Sequence, residues 1–180
     1  EYSLKDLRQQ IGFVPQKGVL FSGTIESNLR FGKTNASKEE IIRAVQIAQA
    51  EEFIEAKEDK YNTHISQGGT NVSGGQKQRL AIARAIIKNA NVFVFDDSFS
   101  ALDMKTDAKL RKALEETMEN ATVMIVAQRI STILHADQIL VLEDGKIVGK
   151  GTHEELLRNC EVYYQIARSQ LSAKELGLEE

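Results

Sequence analysis

Two short stretches of this chain carry residue types that can do chemistry together. Val72-Ser73-Gly74-Gly75-Gln76 places a hydroxyl and two glycines at what its pattern makes a helix entrance, and Val92-Phe93-Val94-Phe95-Asp96-Asp97 is an apolar run ending in two adjacent carboxylates. A helix N-terminus has unpaired backbone N–H groups and partial positive charge, so it attracts phosphate. Ser73 adds a donor there, and the glycines let an anion approach the backbone closely. A carboxylate at the end of a buried strand stands where α/β proteins place ligand-binding groups. Asp96 can hold Mg²⁺ on a nucleotide, directly or through water, and Asp97 can orient or deprotonate an attacking water. Taken singly, the first stretch also reads as a well-capped helix after a Gly-rich loop, and the second as a capping carboxylate pair at a strand exit. Their occurrence one helix apart favours the phosphate-and-magnesium reading. Nothing in the chain supplies the usual companion, a Gly-x-x-x-x-Gly-Lys-Ser/Thr loop, which is expected upstream. Phe31-Gly32-Lys33-Thr34 mimics its end, but Ser27 stands where the first glycine belongs and no buried strand precedes it.

The elements that must position these residues can be read from periodicity. Ile11 to Val14 is a short apolar run stopped by Pro15, a strand end feeding a loop. Lys17 to Gly32 reads as loop with one short helix. Ser37 and Glu40 form a capping box before a helix with Ile41, Ile42, Val45 and Ala48 at helical spacing. Asn62 to Asn71 has no periodicity and reads as loop. Ser73 and Gln76 make a second capping box, opening a helix rich in Leu80, Ala81, Ile82, Ala83 and Ala85. Beyond Asn89, Val92 to Phe95 and Val123 to Val126 are continuous apolar runs and Gln138 to Leu142 nearly so, the pattern of strands buried on both faces. The helical stretch from Lys105 to Glu119 between the first two implies a parallel sheet. Glu143-Asp144-Gly145-Lys146 is a turn into a last strand, Ile147 to Gly149. Thr152 to Glu155 caps a further helix, and Val162 to Leu171 is helical too. Such a sheet is short of strands, with an exposed edge and apolar face, which points to a piece of a larger domain.

Composition narrows the class. With 180 residues, 42% hydrophobic and 27% charged, the chain has the make-up of a globular domain with a real core. A formal net charge of -3 gives no basic footprint for nucleic acid. Cys160 stands alone, which excludes an internal disulfide and suits a reducing compartment. No apolar run is long enough to span a bilayer and no leader is visible, so any membrane contact is expected through partner domains. His64, His135 and His153 are scattered without metal-ligand spacing, Met104, Met118 and Met124 read as packing or surface residues, and Tyr2 is not taken as an adenine-stacking aromatic.

Five motifs carry a family resemblance across nearly the whole chain. Val72 to Gln76 resembles the signature motif of ATP-binding-cassette (ABC) proteins, and Val92 to Asp96 their Walker B strand. Val14-Pro15-Gln16 resembles the Q-loop, Ser100-Ala101-Leu102-Asp103 the D-loop, and Ile125-Val126-Ala127-Gln128-Arg129 the switch loop. Leu20-Phe21-Ser22-Gly23-Thr24-Ile25 and Gly151-Thr152-His153-Glu154-Glu155-Leu156 resemble the exporter branch. The resemblance implies an α/β fold: a partial RecA-like P-loop NTPase core with a parallel sheet, plus an α-helical subdomain. Residues 1–16 would end the first part of the core lobe, 17–88 form the helical subdomain with the signature, 89–171 continue the core lobe, and 172–180 form a tail. It implies ATP and Mg²⁺ as cofactors. Two such domains would sandwich two ATP molecules, with transmembrane domains as partners at the cytoplasmic face of a membrane. Gln16 would sense Mg²⁺ and the attacking water, and Asp96 would hold the metal. Ser73, Gly74, Gly75 and Gln76 would grip an ATP held by the opposite chain, and Asp103 would pass information between the two sites.

Two residues depart from the family pattern. The base after Walker B is usually Glu, and this chain has Asp97. One methylene fewer withdraws the carboxylate by roughly 1.5 Å, and misplacement by about 1 Å can cost on the order of 100-fold in rate. The switch loop usually carries His, and this chain has Gln128, an amide that hydrogen-bonds but cannot become a cation near neutral pH. With an intact signature, the pair resembles the degenerate half of a heterodimeric exporter. The alternatives are an ABC-type ATPase without a transporter and a non-hydrolytic interaction module. The interval between Gln16 and Ser73 shows no sustained heptads, which disfavours the repair and chromosome ATPases.

Overall fold

Side chains at helix entrances punctuate the chain, and Ser37, Ser73 and Thr152 do so as their spacing predicts. The computed structural model describes residues 3–172 and 176. They form two units, one running to Val126 and one starting at Ala127. Tyr2 and most of the tail assigned to 172–180 lie outside the described residues.

In the first unit, α1 (Leu4–Gln9), capped by Ser3, leads into β1 (Ile11–Val14). A two-residue strand β2 (Gly23–Thr24) precedes α2 (Ile25–Arg30), α3 (Lys38–Ile47) and α4 (Glu51–Glu55). The equally short β3 (His64–Ile65) pairs antiparallel with β2 inside the stretch read as loop. Then come α5 (Gly74–Ile87), β4 (Val92–Asp96), α6 (Met104–Thr117) and β5 (Thr122–Val126). The main sheet is parallel in the order β1-β4-β5. Its core continues into the helices through Val14, Leu80, Ile82, Phe93, Phe95 and Leu110.

Burial of β5 departs from the sequence reading. Val123 to Val126 was expected to be covered on both faces, yet Val123, Met124 and Val126 are 40%, 56% and 50% exposed. Strand β4 covers one edge of β5, and among the described residues no strand pairs with the other. An apolar run looks the same in sequence whether its neighbours are at hand or not.

The second unit pairs β6 (Ile139–Glu143) with β7 (Lys146–Gly151) as an antiparallel hairpin, followed by α7 (His153–Asn159) and α8 (Glu161–Gln170). Asp144 and Gly145 both have positive φ, 49° and 74°, the backbone of the tight turns that join hairpins. Strand β6 is not buried on both faces either: Ile139 and Val141 face the small core with Leu156, Cys160 and Tyr163, while Leu140 and Leu142 face outward. No helix among the described residues is long and apolar enough to cross a membrane.

One buried side chain shapes the loop after β1. Asn28 on α2 accepts a hydrogen bond from the Phe21 N–H (2.8 Å) and donates to the carbonyls of Phe21 (2.9 Å) and Thr24 (3.0 Å). Leucine there leaves these groups unpaired in the interior. Asn28→Leu is expected to cost about 1–3 kcal/mol, read as a lower urea midpoint with an unchanged slope.

Candidate functional site

Strands β1 and β4 are parallel with Val14 opposite Phe95, so both chains leave the sheet at the same end. That brings Gln16 to Asp97: the amide Nε2 donates to Oδ2 at 3.1 Å across 81 residues of sequence. Asp96, the last residue of β4, and Asp97 are both half-buried. The buried Ser98 donates its hydroxyl to the Val14 carbonyl at 2.9 Å and so ties the two strand ends together. Asp97 has φ 43°, a left-handed conformation that Asp adopts more readily than most residues. Its N–H donates to the Val126 carbonyl (2.8 Å) and its carbonyl accepts from Ser100 Oγ (2.9 Å). The Asp96 carboxylate and the amide oxygen of Gln16 are hard oxygen donors, the chemistry that suits Mg²⁺.

The entrance of α5 is built as its spacing predicts. Ser73 Oγ accepts the Gln76 N–H (3.2 Å), and Gln76 Oε1 accepts the Ser73 N–H (3.1 Å). Ser73 and Gly74 are exposed, and a Cβ placed on Gly74 would meet nothing within 4 Å. A Cβ on Gly75 would come within 3.3 Å of the Ala101 carbonyl, so the helix start lies against the loop ending in Asp103. Asp103 caps α6 by accepting the Thr106 N–H at 3.0 Å, and this bond holds its carboxyl below the usual carboxylate range. Arg79 ties the region together: it donates to the carbonyls of Gly75 (3.4 Å) and Gln49 (2.7 Å) and lies 4.8 Å over the Phe53 ring. Burial lowers its pKa, with Asp103 and Glu52 pulling the other way.

Gln128 belongs to the second unit. It is exposed, its carbonyl accepts from Gln170 Nε2 (2.9 Å), and Gln170 Oε1 accepts the Ile130 N–H (2.9 Å), so Gln170 shapes the loop that carries it. In the first unit the fold thus joins Gln16 to Asp97, and the Gly75 end of the Ser73 segment to the loop before Asp103. The sequence reading did not single out Ser98, Arg79 or Gln78, because a polar residue inside a helix or just past a strand carries no periodic signal.

A partly parallel α/β core, a capped Gly-rich helix entrance and a strand ending in two carboxylates fit the fold of an ABC-type domain. Comparison with known proteins agrees. The ABC transporter family model matches residues 1–100. An ABC transporter ATP-binding protein of Mycobacterium tuberculosis is 46% identical over 98% of this chain and 31% of its own length. An ATP-dependent lipid A-core flippase of Legionella pneumophila is 44% identical over 94% of this chain and 29% of its own. The solved structure of a bacterial Atm1-family ABC exporter with ATP bound superposes with a TM-score of 0.89 at 37% identity, covering 93% of this chain and 30% of that one. The chain belongs to the ABC transporter family, and it spans about a third of the length of these relatives.

The open space above Gly74 separates folding from ligand binding. Gly74→Ala is expected to be neutral or to stabilise by up to about 1 kcal/mol through helix propensity. Gly75→Ala is expected to gain less, because its Cβ crowds the Ala101 carbonyl. Thermal melts of the two variants make the comparison.

Proposed function

We propose that this chain is the ATP-binding part of an ABC exporter, coupling ATP binding and hydrolysis to transport. Its own ATP site is slow, and its signature helix completes the competent site of a different partner domain. The observation that carries this reading is the contrast between two halves of the site. The Ser73 helix entrance is intact, exposed and unobstructed, whereas the base position holds the shorter Asp97, its Oδ2 bonded to Gln16.

The chemistry follows from the side chains. Asp96 and Gln16 would hold Mg²⁺, which when bound neutralises phosphate charge. Asp97 would take the proton of an attacking water, while the Gln16 amide fixes the direction of its carboxylate. The lost methylene withdraws this base from its partner, at a cost on the order of 100-fold. Gln128 would hydrogen-bond a terminal phosphate without contributing a positive charge. Ser73 and the first N–H groups of α5 would bind the terminal phosphate of an ATP held by the partner, with Gly74, Gly75 and Gln76 shaping that entrance and Asp103 facing the second domain.

Transmembrane domains as partners, placing this chain at the cytoplasmic face of a membrane, accord with the exporter relatives. A surface feature supports them. Phe21 and Phe31 are 45% and 68% exposed with ring centroids 4.6 Å apart, and the Arg84 guanidinium lies 5.6 and 5.9 Å from them. An exposed aromatic pair of this kind fits a protein contact.

The test is ATP turnover of the assembled full-length transporter. Ser73→Ala in this chain is expected to lower turnover by about 100-fold or more, the loss typical of a donor acting on transition-state charge. Asp97→Asn is expected to leave turnover within about two-fold, because a slow site contributes little to the total. The opposite ranking would show that Asp97 is a working base and that the site is not degenerate.

A further inference from the structure

In the second unit the loop that carries Gln128 is clamped by a side chain from the last helix. Gln170 is the final residue of α8. Its Nε2 donates to the Gln128 carbonyl at 2.9 Å and its Oε1 accepts the Ile130 N–H at 2.9 Å. The partners fix the orientation of the amide, since a carbonyl only accepts and a backbone N–H only donates. The two bonds straddle Arg129, whose backbone is extended at φ -103° and ψ 126°. One side-chain amide thus serves this loop as a residue of a neighbouring strand would. Both ends of the clamp are seated in the same small core. On the loop side Ile130 is buried and opens the short helical turn Ile130–Thr132. On the helix side Tyr163 and Ala167 are buried, and the Tyr163 hydroxyl lies 2.8 Å from His153 Nδ1. Leu171 packs against that core, and its N–H closes α8 on the Ala167 carbonyl at 2.8 Å.

We propose that Gln170 is a positioning residue for Gln128, holding its main chain so that the Gln128 amide meets the terminal phosphate of ATP in one direction. The inference rests on the reading of Gln128 given under Proposed function. The peptide that joins Gln128 to Arg129 is planar, so fixing its carbonyl fixes the whole unit and the backbone from which the Gln128 side chain leaves. One ordered side chain makes both bonds, so its rotamer freedom is lost only once. An uncharged amide needs such support more than a cation in its place would. A hydrogen bond weakens steeply with misalignment, whereas the attraction of a charge falls off gradually with distance. Gln170 bonds main-chain atoms of the loop and acts on the phosphate only through Gln128.

The experiment labels the full-length transporter with a photoreactive ATP on ice and quantifies the labelled peptides of this chain by mass spectrometry. Competition by ATP and by ADP gives the preference of this chain's own site for ATP, which a contact to the terminal phosphate sets. Gln170→Leu keeps most of the side-chain bulk and removes donor and acceptor. It is expected to lower that preference about five-fold, on the scale of one modest hydrogen bond. In a Gln128→Ala background it is expected to add less than about two-fold. Amide exchange across residues 128–132 should rise about ten-fold in Gln170→Leu, while α7 and the β6–β7 hairpin exchange as in wild type. In a Gln128→His background the cost of Gln170→Leu should shrink as pH falls below about 6.5 and the imidazole becomes a cation. Unchanged exchange, wild-type preference despite faster exchange, equal losses in both the wild-type and Gln128→Ala backgrounds, or a pH-independent cost would each overturn the proposal. Gln170→Asn, too short to span both partners, is held to the same outcomes if the leucine variant does not assemble. Gln128→Ala alone separates the two readings. If it leaves the preference for ATP unchanged, the functional reading of Gln128 fails. If it lowers the preference and the Gln170 variants do not, only the positioning role fails.

Discussion

The parallel pairing of β1 with β4 is the constraint on which the rest of the site depends. In an antiparallel pair the residues leaving the two strands would emerge at opposite ends of the sheet. With Val14 in register with Phe95, the chain after each strand emerges at the same end, and Gln16 can reach Asp97. Ser98 fixes the register at its most sensitive point by donating to the Val14 carbonyl. On its other edge β4 pairs with β5, where Asp96 is opposite Val126 and the Asp97 N–H is bonded to the Val126 carbonyl. Both carboxylates are therefore held by backbone geometry before any ligand is considered.

Helix α5 is the second fixed part. Its capped end presents Ser73, its second turn holds the loop around Gln16 through Gln78, and its inward face packs Leu80, Ile82 and Ala83 into the core. Arg79 joins that helix start to Gln49 and to the field of Asp103. The residues read as belonging to two different ATP sites, Ser73 for the partner's and Gln16 with Asp97 for this chain's own, are thus tied to one rigid element. On the proposed reading, the exposed helix entrance at Ser73 and the short carboxylate of Asp97 are what a chain carries when it lends one site a working part and keeps a weak site for itself.

Much of this was legible in the sequence, for identifiable physical reasons. Capping boxes at Ser37, Ser73 and Thr152 declare themselves because two side chains at fixed spacing must satisfy each other's backbone. Strands β1 and β4 and the Asp144-Gly145 turn were marked by apolar runs and turn residues. The two-residue strands β2 and β3 were not, since two residues have no period. The exposure of β5 and the alternation of β6 escaped because burial depends on neighbours rather than on the run itself. Within the site, residue types pointed to Asp96, Asp97 and Ser73, but the bond from Gln16 to Asp97 spans 81 residues and only the sheet register creates it. Gln78 was least legible of all: a glutamine among polar neighbours reads as surface, and its burial follows from the loop folding over it.

Where hydrolysis takes place distinguishes a degenerate site from a working one. The most direct measurement traps the post-hydrolysis state of the full-length transporter with orthovanadate and a photoreactive ATP, then maps the labelled peptides by mass spectrometry. Label confined to the nucleotide-binding segment of a different partner chain is the result the proposed function predicts, since that reading places the competent site there with Ser73 completing it. Label trapped on this chain's own segment would show that Asp97 serves a working site, and would contradict the account.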